Sequence, residues 1–272
     1  MTTAFVLAGG ASLGAVQAGM VEVLGAAGIL PDLIVGSSVG ALNGAWLASH
    51  PGPEGARLLR EVWLSVRRRD VFPFSPVRIV RGLTGRIDHT VSPAPLARWM
   101  SVRAPFFQLE QAAIPLHVVA TDFSTGRPVV LSTGDAIEAL LASAAIPGVF
   151  PPVEINGRLL VDGGLAANTP VSQAIDLGAD VVYLLPTVSD TPGAKAKSAA
   201  GVAFQSMAHL LGNASLSEIR VNASRCTLYV VPPPPSIGVS PFDFRHSREL
   251  MDRARDTTQA WLASREPVPA EL

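Results

Sequence analysis

The amino-acid sequence predicts a three-layer α/β/α fold around a central, largely parallel sheet. Short apolar runs typical of buried strands alternate with longer stretches in which apolar residues recur every three or four positions, as on a helix face. Two of these runs pass through glycines directly into a helical stretch, as strands do at the carboxyl edge of α/β sheets. We expect strands near residues 4–8, 33–36, 116–121, 127–131, 158–162, 180–185 and 226–231, and helices near 13–27, 39–49, 54–66, 135–145, 170–177, 199–222 and 247–263.

The composition fits one domain over residues 1–272, with a basic cap insertion at about residues 65–108. A chain of 272 residues with 48% apolar content is able to bury a large core. The net charge of −1 gives no electrostatic reason to expect nucleic acid, and the single cysteine excludes an intrachain disulfide. The first three residues show no basic n-region, and no run of the sequence reaches about 18 apolar residues. We therefore expect a cytoplasmic protein.

The first expected strand, residues 4–8, runs into the glycine-rich loop GGASLG at residues 9–14 and then into a helix. A dinucleotide fingerprint would need glycine at Ala11, and a Walker-type phosphate loop would need lysine at Ala15. What remains is a set of backbone N–H groups at a helix start, which are able to hold an oxyanion. Tight packing of the helix on the strand is the alternative interpretation.

The second expected strand leads into the G-S-S-V-G motif at residues 36–40, which is followed by a helical run. This order is typical of a nucleophile elbow, with Ser38 exposed at the turn and near the positive end of the helix dipole. A plain glycine-rich turn from strand to helix is the alternative.

A third segment, residues 159–164, is a strand that ends in Asp162 and two glycines. The Asn156-Gly157 pair before it predicts a tight hairpin that delivers Asp162 to a defined position. A carboxylate at a strand end suits catalysis, although an Asp-Gly pair also forms simple turns. Asn168 or Thr169 is expected to cap the helix that follows.

Together the three segments resemble the patatin-like phospholipase family, whose members carry a glycine-rich oxyanion loop, a G-x-S-x-G elbow and a D-G-[GA] motif in this order. The segments at residues 120–127 and 143–152 also look like sequence of this family, and the resemblance covers roughly residues 4–185. It implies a patatin-like fold and a dyad without histidine, in which Ser38 is the nucleophile and Asp162 the base. It further implies hydrolysis of lipids or related acyl esters through an acyl-enzyme, with no metal or organic cofactor. The implied oxyanion hole consists of the amides of Gly9, Gly10, Ala11 and Val39, and the supporting motif glycines are Gly14, Gly36, Gly40, Gly163 and Gly164.

Two departures from the family pattern bear on the substrate. Ala11 stands where the oxyanion loop usually has a third glycine, and Leu13 stands where it usually has arginine. Ala11 is expected to donate its N–H provided that its φ is negative. The missing arginine bears on phospholipid preference more than on ester hydrolysis, so it favours a carboxylesterase or lipase and leaves the phospholipase A type as the other possibility. An acyltransferase that uses the same dyad and a non-catalytic lipid-binding relative remain as alternatives.

Residues 57–103 hold ten arginines against three acidic residues, interleaved with apolar side chains. Two interpretations stay open for this arginine-rich segment. One is a cap over the active site that makes peripheral contact with an anionic membrane surface. The other is a solvated insertion whose arginines pair with acids elsewhere on the fold. Residues 189–216, which are rich in small side chains, are a second candidate lid.

Overall fold

The computed structural model describes residues 1–103, 106–187 and 199–269. These residues form an eight-stranded sheet in which β8, β7, β1, β2 and β3 are consecutive parallel strands. β4 and β6 pair antiparallel with β3, and β5 pairs antiparallel with β6. The strands are β1 Thr3–Leu7, β2 Leu33–Ser37, β3 Leu116–Asp122, β4 Pro128–Leu131, β5 Val153–Ile155, β6 Arg158–Asp162, β7 Val181–Leu185 and β8 Thr227–Val230.

Helices cover both faces of the sheet, because the parallel strands are apolar on both faces. Phe5 and Leu7 of β1 belong to one buried cluster, whereas Ala4 and Val6 belong to another. This alternation along one strand is the two-residue period of a sheet buried between two helical layers. The helices are α1 Ala15–Ala26, α2 Val39–Ser49, α3 Pro53–Ser65, α4 Arg68–Val71, α5 Pro76–Leu83, α6 Ala94–Arg103, α7 Ala136–Ser143, α8 Gly164–Ala167, α9 Val171–Asp176, α10 Ala199–Asn222 and α11 Ser247–Leu262.

The predicted α/β/α fold is confirmed, with three differences in detail. The sheet is mixed rather than largely parallel beyond β3, since the predicted hairpin of β5 and β6 joins it antiparallel. The helix expected at residues 13–27 begins as a 3₁₀ turn, Ala11–Gly14, that continues into α1. The arginine-rich segment contains three helices, α4 to α6, that the sequence pattern does not reveal.

Two further expectations concern the later part of the chain. The capping prediction is wrong, because Pro170 occupies the N-cap of α9 and makes no side-chain capping bond. Of the second candidate lid, residues 189–198 lie outside the described part of the chain, and the remainder belongs to α10. Across the residues described here, no helix combines the length and apolar character needed to cross a membrane.

Candidate active site

Strand β3 brings the elbow and the aspartate together. Ser37, the last residue of β2, is opposite Val119, and Asp162, the last residue of β6, is opposite the next residue, Ala120. β4 pairs with one edge of β3 across both Val119 and Ala120. β2 and β6 must therefore both pair with the other edge of β3, where they follow each other along the strand. Because β2 runs parallel and β6 antiparallel to β3, their carboxyl ends meet. Ser38 follows β2 at this meeting point.

Ser38 lies on a strained turn between β2 and α2. Its backbone has φ 53° and ψ −124°, a conformation that residues other than glycine rarely adopt. Two glycines hold the turn by close packing. A Cβ added at Gly40 would lie 2.1 Å from the Leu7 carbonyl oxygen, and one added at Gly36 would lie 2.6 Å from the backbone of Ala41. Glycine at these two positions therefore allows the backbones of β1, β2 and α2 to pack in close contact.

The side chains of Ser38 and Asp162 form a direct hydrogen bond. The Ser38 hydroxyl donates to Oδ2 of Asp162 at 2.7 Å, and the Gly164 amide donates to Oδ1 at 2.8 Å. Both residues are buried, with 6% and 7% of their surfaces exposed. Burial raises the pKa of Asp162 to about 6, against the smaller lowering effect of the two hydrogen bonds. The carboxylate is therefore a stronger base than an exposed aspartate.

Two side chains that the motifs did not identify fix the backbone around the pair. Ser143 accepts a hydrogen bond from the Ser38 amide at 2.8 Å and donates to the Val119 carbonyl at 2.5 Å. The Thr121 hydroxyl donates to the Asp162 carbonyl at 2.8 Å. Both residues fall in stretches that resemble the family, yet a serine or threonine in such a stretch gives no indication of its partner. The Ser38 amide is thereby occupied and unable to serve an oxyanion.

The loop at residues 9–14 lies beside Ser38, and its amides differ in their partners. The Gly9 amide donates to the Asn168 carbonyl at 3.2 Å, so we leave Gly9 out of the set of candidate oxyanion donors. Within the described chain, the amides of Gly10, Ala11 and Val39 have no hydrogen-bond acceptor. Those three N–H groups lie at the start of the 3₁₀ turn and of α2, where the helix dipole favours negative charge.

The backbone of Ala11 differs from what the sequence led us to expect. Its φ is +50°, in the left-handed region, so the condition of a negative φ is not met. Its N–H nevertheless remains without an acceptor within the described residues. Gly10 is confined by Thr187, since an added Cβ would lie 2.3 Å from the threonine hydroxyl oxygen. Thr187 in turn donates to the Gly9 carbonyl at 2.8 Å, which ties the loop to the end of β7.

The histidines in the described residues make no hydrogen bond to Ser38 or Asp162. His117 contacts Ser132, and His246 occupies the N-cap of α11. His50, His89 and His209 are equally absent from the hydrogen bonds of the pair. Among the described residues, the hydrogen bond of Ser38 with Asp162 therefore has no histidine beside it.

Ser38, Val39 and Ala11 line an apolar cleft whose empty space, counted with the part open to solvent, is about 950 Å³. Side chains of α2, α3, α4, α6 and α7 line it, so two helices of the arginine-rich segment, α4 and α6, contribute to the cleft. The polar atoms of Asn43 and Trp63 on the wall are satisfied, since the indole N–H of Trp63 donates to Asn43 at 2.9 Å. The other lining side chains are Leu42, Ala45, Trp46, Val62, Val66, Val71, Phe72, Leu96, Trp99, Met100, Arg103, Phe106, Ala136, Leu140, Ala144, Ile146, Phe150 and Phe244.

Leu13 lies away from this cleft. Its side chain lines a separate small cavity with Pro234, Pro235 and Ile237 of the segment that precedes α11. An apolar residue at this position therefore packs beneath the proline-rich segment.

A strained serine between a parallel strand and a helix, bonded to a buried strand-end aspartate beside an apolar cleft, defines the class of α/β proteins with a nucleophile elbow. A family model described as patatin-like phospholipase matches residues 5–175, which is more than half of the chain. The chain belongs to the patatin-like phospholipase family.

Named relatives agree with this assignment. The chain is 30% identical over 184 residues to patatin-like phospholipase domain-containing protein 7 of Rattus norvegicus, and 29% identical over 190 residues to lysophospholipase nte1 of Aspergillus terreus. These alignments cover 67% and 65% of this chain but only 13% and 11% of those proteins, so the chain spans a small part of these relatives. The crystal structure of VipD from Legionella pneumophila matches 98% of this chain and 68% of that chain, with a TM-score of 0.51 and 15% identity. That likeness concerns the fold.

Proposed function

We propose that the chain is a serine carboxylic ester hydrolase that cleaves acyl esters of lipids through a Ser38–Asp162 dyad. The observation that carries the proposal is the 2.7 Å hydrogen bond from the Ser38 hydroxyl to Asp162 at the head of an apolar cleft. An acyl chain fills such a cleft by the hydrophobic effect, which places its carbonyl carbon beside the hydroxyl.

In the acylation step, Ser38 Oγ attacks the ester carbonyl while Asp162 accepts the hydroxyl proton. The carbonyl oxygen becomes an oxyanion, for which the amides of Gly10, Ala11 and Val39 supply donors without further reorganisation. Each such donor is worth roughly 3 to 4 kcal/mol in the best-studied hydrolase. The C–O bond to the alcohol then breaks, and Asp162 returns the proton to the leaving oxygen.

In the deacylation step, Asp162 takes a proton from a water molecule that attacks the acyl-enzyme, and then returns that proton to Ser38. Only the carboxylate form of Asp162 is able to accept a proton in either step. Because burial raises its pKa to about 6, activity should fall as the pH drops through 6. The same raised pKa makes the base better matched to neutral pH than an exposed aspartate.

Hydrolysis of p-nitrophenyl esters of increasing acyl length tests this proposal. We expect the wild type to prefer a chain long enough to fill the cleft, and Ser38→Ala and Asp162→Asn to lose about 10³-fold or more in kcat. Ser132→Ala, a serine outside the site that contacts His117, is the matched control and should retain activity. An inactive wild type, or an active Ser38→Ala, would favour the lipid-binding alternative.

We further propose that the chain hydrolyses esters of the lipase or carboxylesterase type faster than it hydrolyses diacyl phospholipids. The loop at residues 9–14 carries no charged side chain, and Leu13 packs away from the cleft. Phosphatidylcholine compared with a neutral ester of equal chain length tests this preference. Faster turnover of the phospholipid would overturn it, in line with the names of several relatives.

We also propose that the arginine-rich segment makes peripheral contact with anionic membranes. Among the described residues, Arg57 and Arg60 are the members of this segment that form salt bridges with carboxylates. Phe74, Val77 and Val80, on and just before α5, expose 70%, 68% and 56% of their surfaces. Apolar side chains beside unneutralised arginines suit an anionic lipid surface, where each basic residue adds about 1 kcal/mol.

Co-sedimentation with phosphatidylglycerol vesicles tests this contact. We expect binding that weakens as salt rises and that Val80→Asp reduces. Val221→Asp, at an exposed valine of α10, is the control and should bind as the wild type does. Binding that persists unchanged at high salt would rule out the electrostatic contact.

A further inference from the structure

Among the cleft-lining residues that the structure describes, Arg103 alone has a charged side chain. It is the last residue of α6 and is exposed, so its guanidinium lies at the solvent side of the cleft. Ser38 lines the same cleft. A substrate held by Ser38 therefore has one cation available to it from the surrounding walls.

The position of this cation is defined by Trp99, one turn earlier on α6. The guanidinium carbon lies 5.1 Å from the centre of the indole ring, within the range of a cation–π contact. Trp99 itself lines the cleft, so the contact holds the charge over the cleft wall. No carboxylate of the described residues forms a salt bridge with Arg103.

In the described part of the chain, no carboxylate lines the cleft beside this cation. The described lining residues include no aspartate or glutamate, and the loop at residues 9–14 has no charged side chain. A guanidinium binds phosphate or carboxylate oxygens through paired N–H donors, which gives direction as well as charge.

We propose that Arg103 forms an anion subsite that selects acyl esters carrying a negative group at the mouth of the cleft. The inference rests on the proposed function and adds a charged specificity determinant to a cleft that is otherwise apolar. The anion is a phosphate on the alcohol side of the ester or a carboxylate at the far end of the acyl chain. Because the guanidinium is exposed, its contribution is screened by salt.

Two matched pairs of substrates distinguish the sources of the anion. The first compares lysophosphatidic acid with the monoacylglycerol of the same chain. The second compares the p-nitrophenyl monoester of a long dicarboxylic acid with the ester of the monocarboxylic acid of equal length. The quantity measured is the ratio of kcat/KM for the anionic member of each pair to that for the neutral member.

We expect Arg103→Gln to lower this ratio about tenfold for one of the two pairs, mainly through KM. Arg103→Lys should restore part of it, because the charge returns without the paired donors. Arg98→Gln is the control, since Arg98 is an exposed arginine on the same helix that does not line the cleft. A ratio unchanged in both pairs, or equal losses on all four substrates, would overturn the proposal.

A binding measurement separates this inference from the proposed function. Titration of Ser38→Ala with dodecyl phosphate, dodecanoate and dodecanol by calorimetry requires no turnover. We expect the anionic probe of the matching class to bind about tenfold tighter than dodecanol, and Arg103→Gln in the same background to abolish the difference. Equal affinities for all three probes would reject the subsite even if the wild type cleaves esters.

Discussion

The carboxyl edge of the sheet and the helices α3, α4 and α6 line one cleft, and their polar side chains are held in different ways. At the sheet edge, Ser38 and Asp162 are buried and each is held by backbone and side-chain hydrogen bonds. In α3–α6, Arg57 forms salt bridges with Glu54 and Glu61 on an exposed helix surface. Buried groups with fixed partners respond strongly to small changes, whereas exposed pairs contribute little. In the proposed function, the chemistry therefore depends on the sheet edge, whereas the lining helices set the substrate.

Among the variants of the two regions, Gly40→Ala at the sheet edge is expected to have the largest effect. The added Cβ would lie 2.1 Å from the Leu7 carbonyl oxygen, so α2 must move away from β1. We expect a loss of about 3 kcal/mol or more in unfolding free energy and displacement of Ser38. Chemical denaturation measures the loss. Gly212→Ala, in an open position on α10, should gain about 0.5–1 kcal/mol, and equal behaviour of the two variants would contradict this account of the elbow.

Asp162→Asn tests how the buried carboxylate at the sheet edge makes the stability of the protein depend on pH. Burial raises the pKa of Asp162 from 3.8 to about 6, so the native state holds its proton more tightly than the unfolded state does. The protonated Asp162 therefore contributes its full stabilisation below pH 3.8. This contribution, about 3 kcal/mol of unfolding free energy, is lost as the pH rises through 6. Asp162→Asn removes this loss. We expect it to unfold at a higher temperature than the wild type at pH 7.5 and at a similar temperature at pH 4.

Asp122→Asn is the control of opposite sign. Hydrogen bonds from the Ser124 side chain and the Thr125 backbone lower the pKa of Asp122, so its carboxylate adds stability above pH 3.8. This variant should be less stable than the wild type at pH 7.5, with the difference vanishing as the pH falls. If both variants shift stability in the same direction at pH 7.5, the electrostatic account of the dyad is wrong.

Ala11→Gly is expected to have a smaller effect. Ala11 has φ +50°, a conformation that costs an alanine about 1 kcal/mol and a glycine almost nothing. We expect the unfolding free energy to rise by about 0.5–1 kcal/mol, because the strain outweighs the greater freedom of glycine in the unfolded chain. In the control Ala26→Gly, in the last turn of α1, the unfolding free energy should fall by a similar amount. A loss of stability in Ala11→Gly would show that the methyl group of Ala11 stabilises by packing.

Arg57→Gln is expected to have the smallest effect. It removes two ion pairs on the exposed side of α3, where solvent screens the charges. The melting temperature and the kcat on a neutral ester should both stay within the error of measurement. A clear loss of either would indicate that surface charge on α3–α6 supports the catalytic edge.

The sequence was sufficient to predict the sheet edge because each motif there meets a local backbone requirement. The glycines at 36, 40 and 163 contact carbonyl or helix backbone directly, so the motif spacing reflects packing as well as chemistry. Hydrogen-bond partners that are distant in the sequence give no local sequence pattern of this kind. The role of Ser143, for example, depends on the separate positions of Ser38 and Val119.

The covering helices were predictable in composition but not in structure. The arginine-rich segment suggested a cap, yet α4 and α5 have only four and eight residues, which is shorter than the window over which a helical period is recognised. The cleft itself combines side chains from α2, α3, α4, α6 and α7, and only tertiary packing brings these together. The cation–π contact of Arg103 with Trp99 is local to α6, but its place on the cleft wall is not.

Covalent trapping of the nucleophile across a range of pH tests the central claim most directly. A long-chain alkyl fluorophosphonate loses fluoride when a serine oxygen attacks phosphorus, and mass spectrometry locates the adduct. We expect a single adduct on Ser38, formed at a rate that falls as the pH drops through 6, with no adduct in Ser38→Ala and a slow, pH-independent rate in Asp162→Asn. An adduct on another residue, or wild-type labelling that is independent of Asp162, would contradict the dyad.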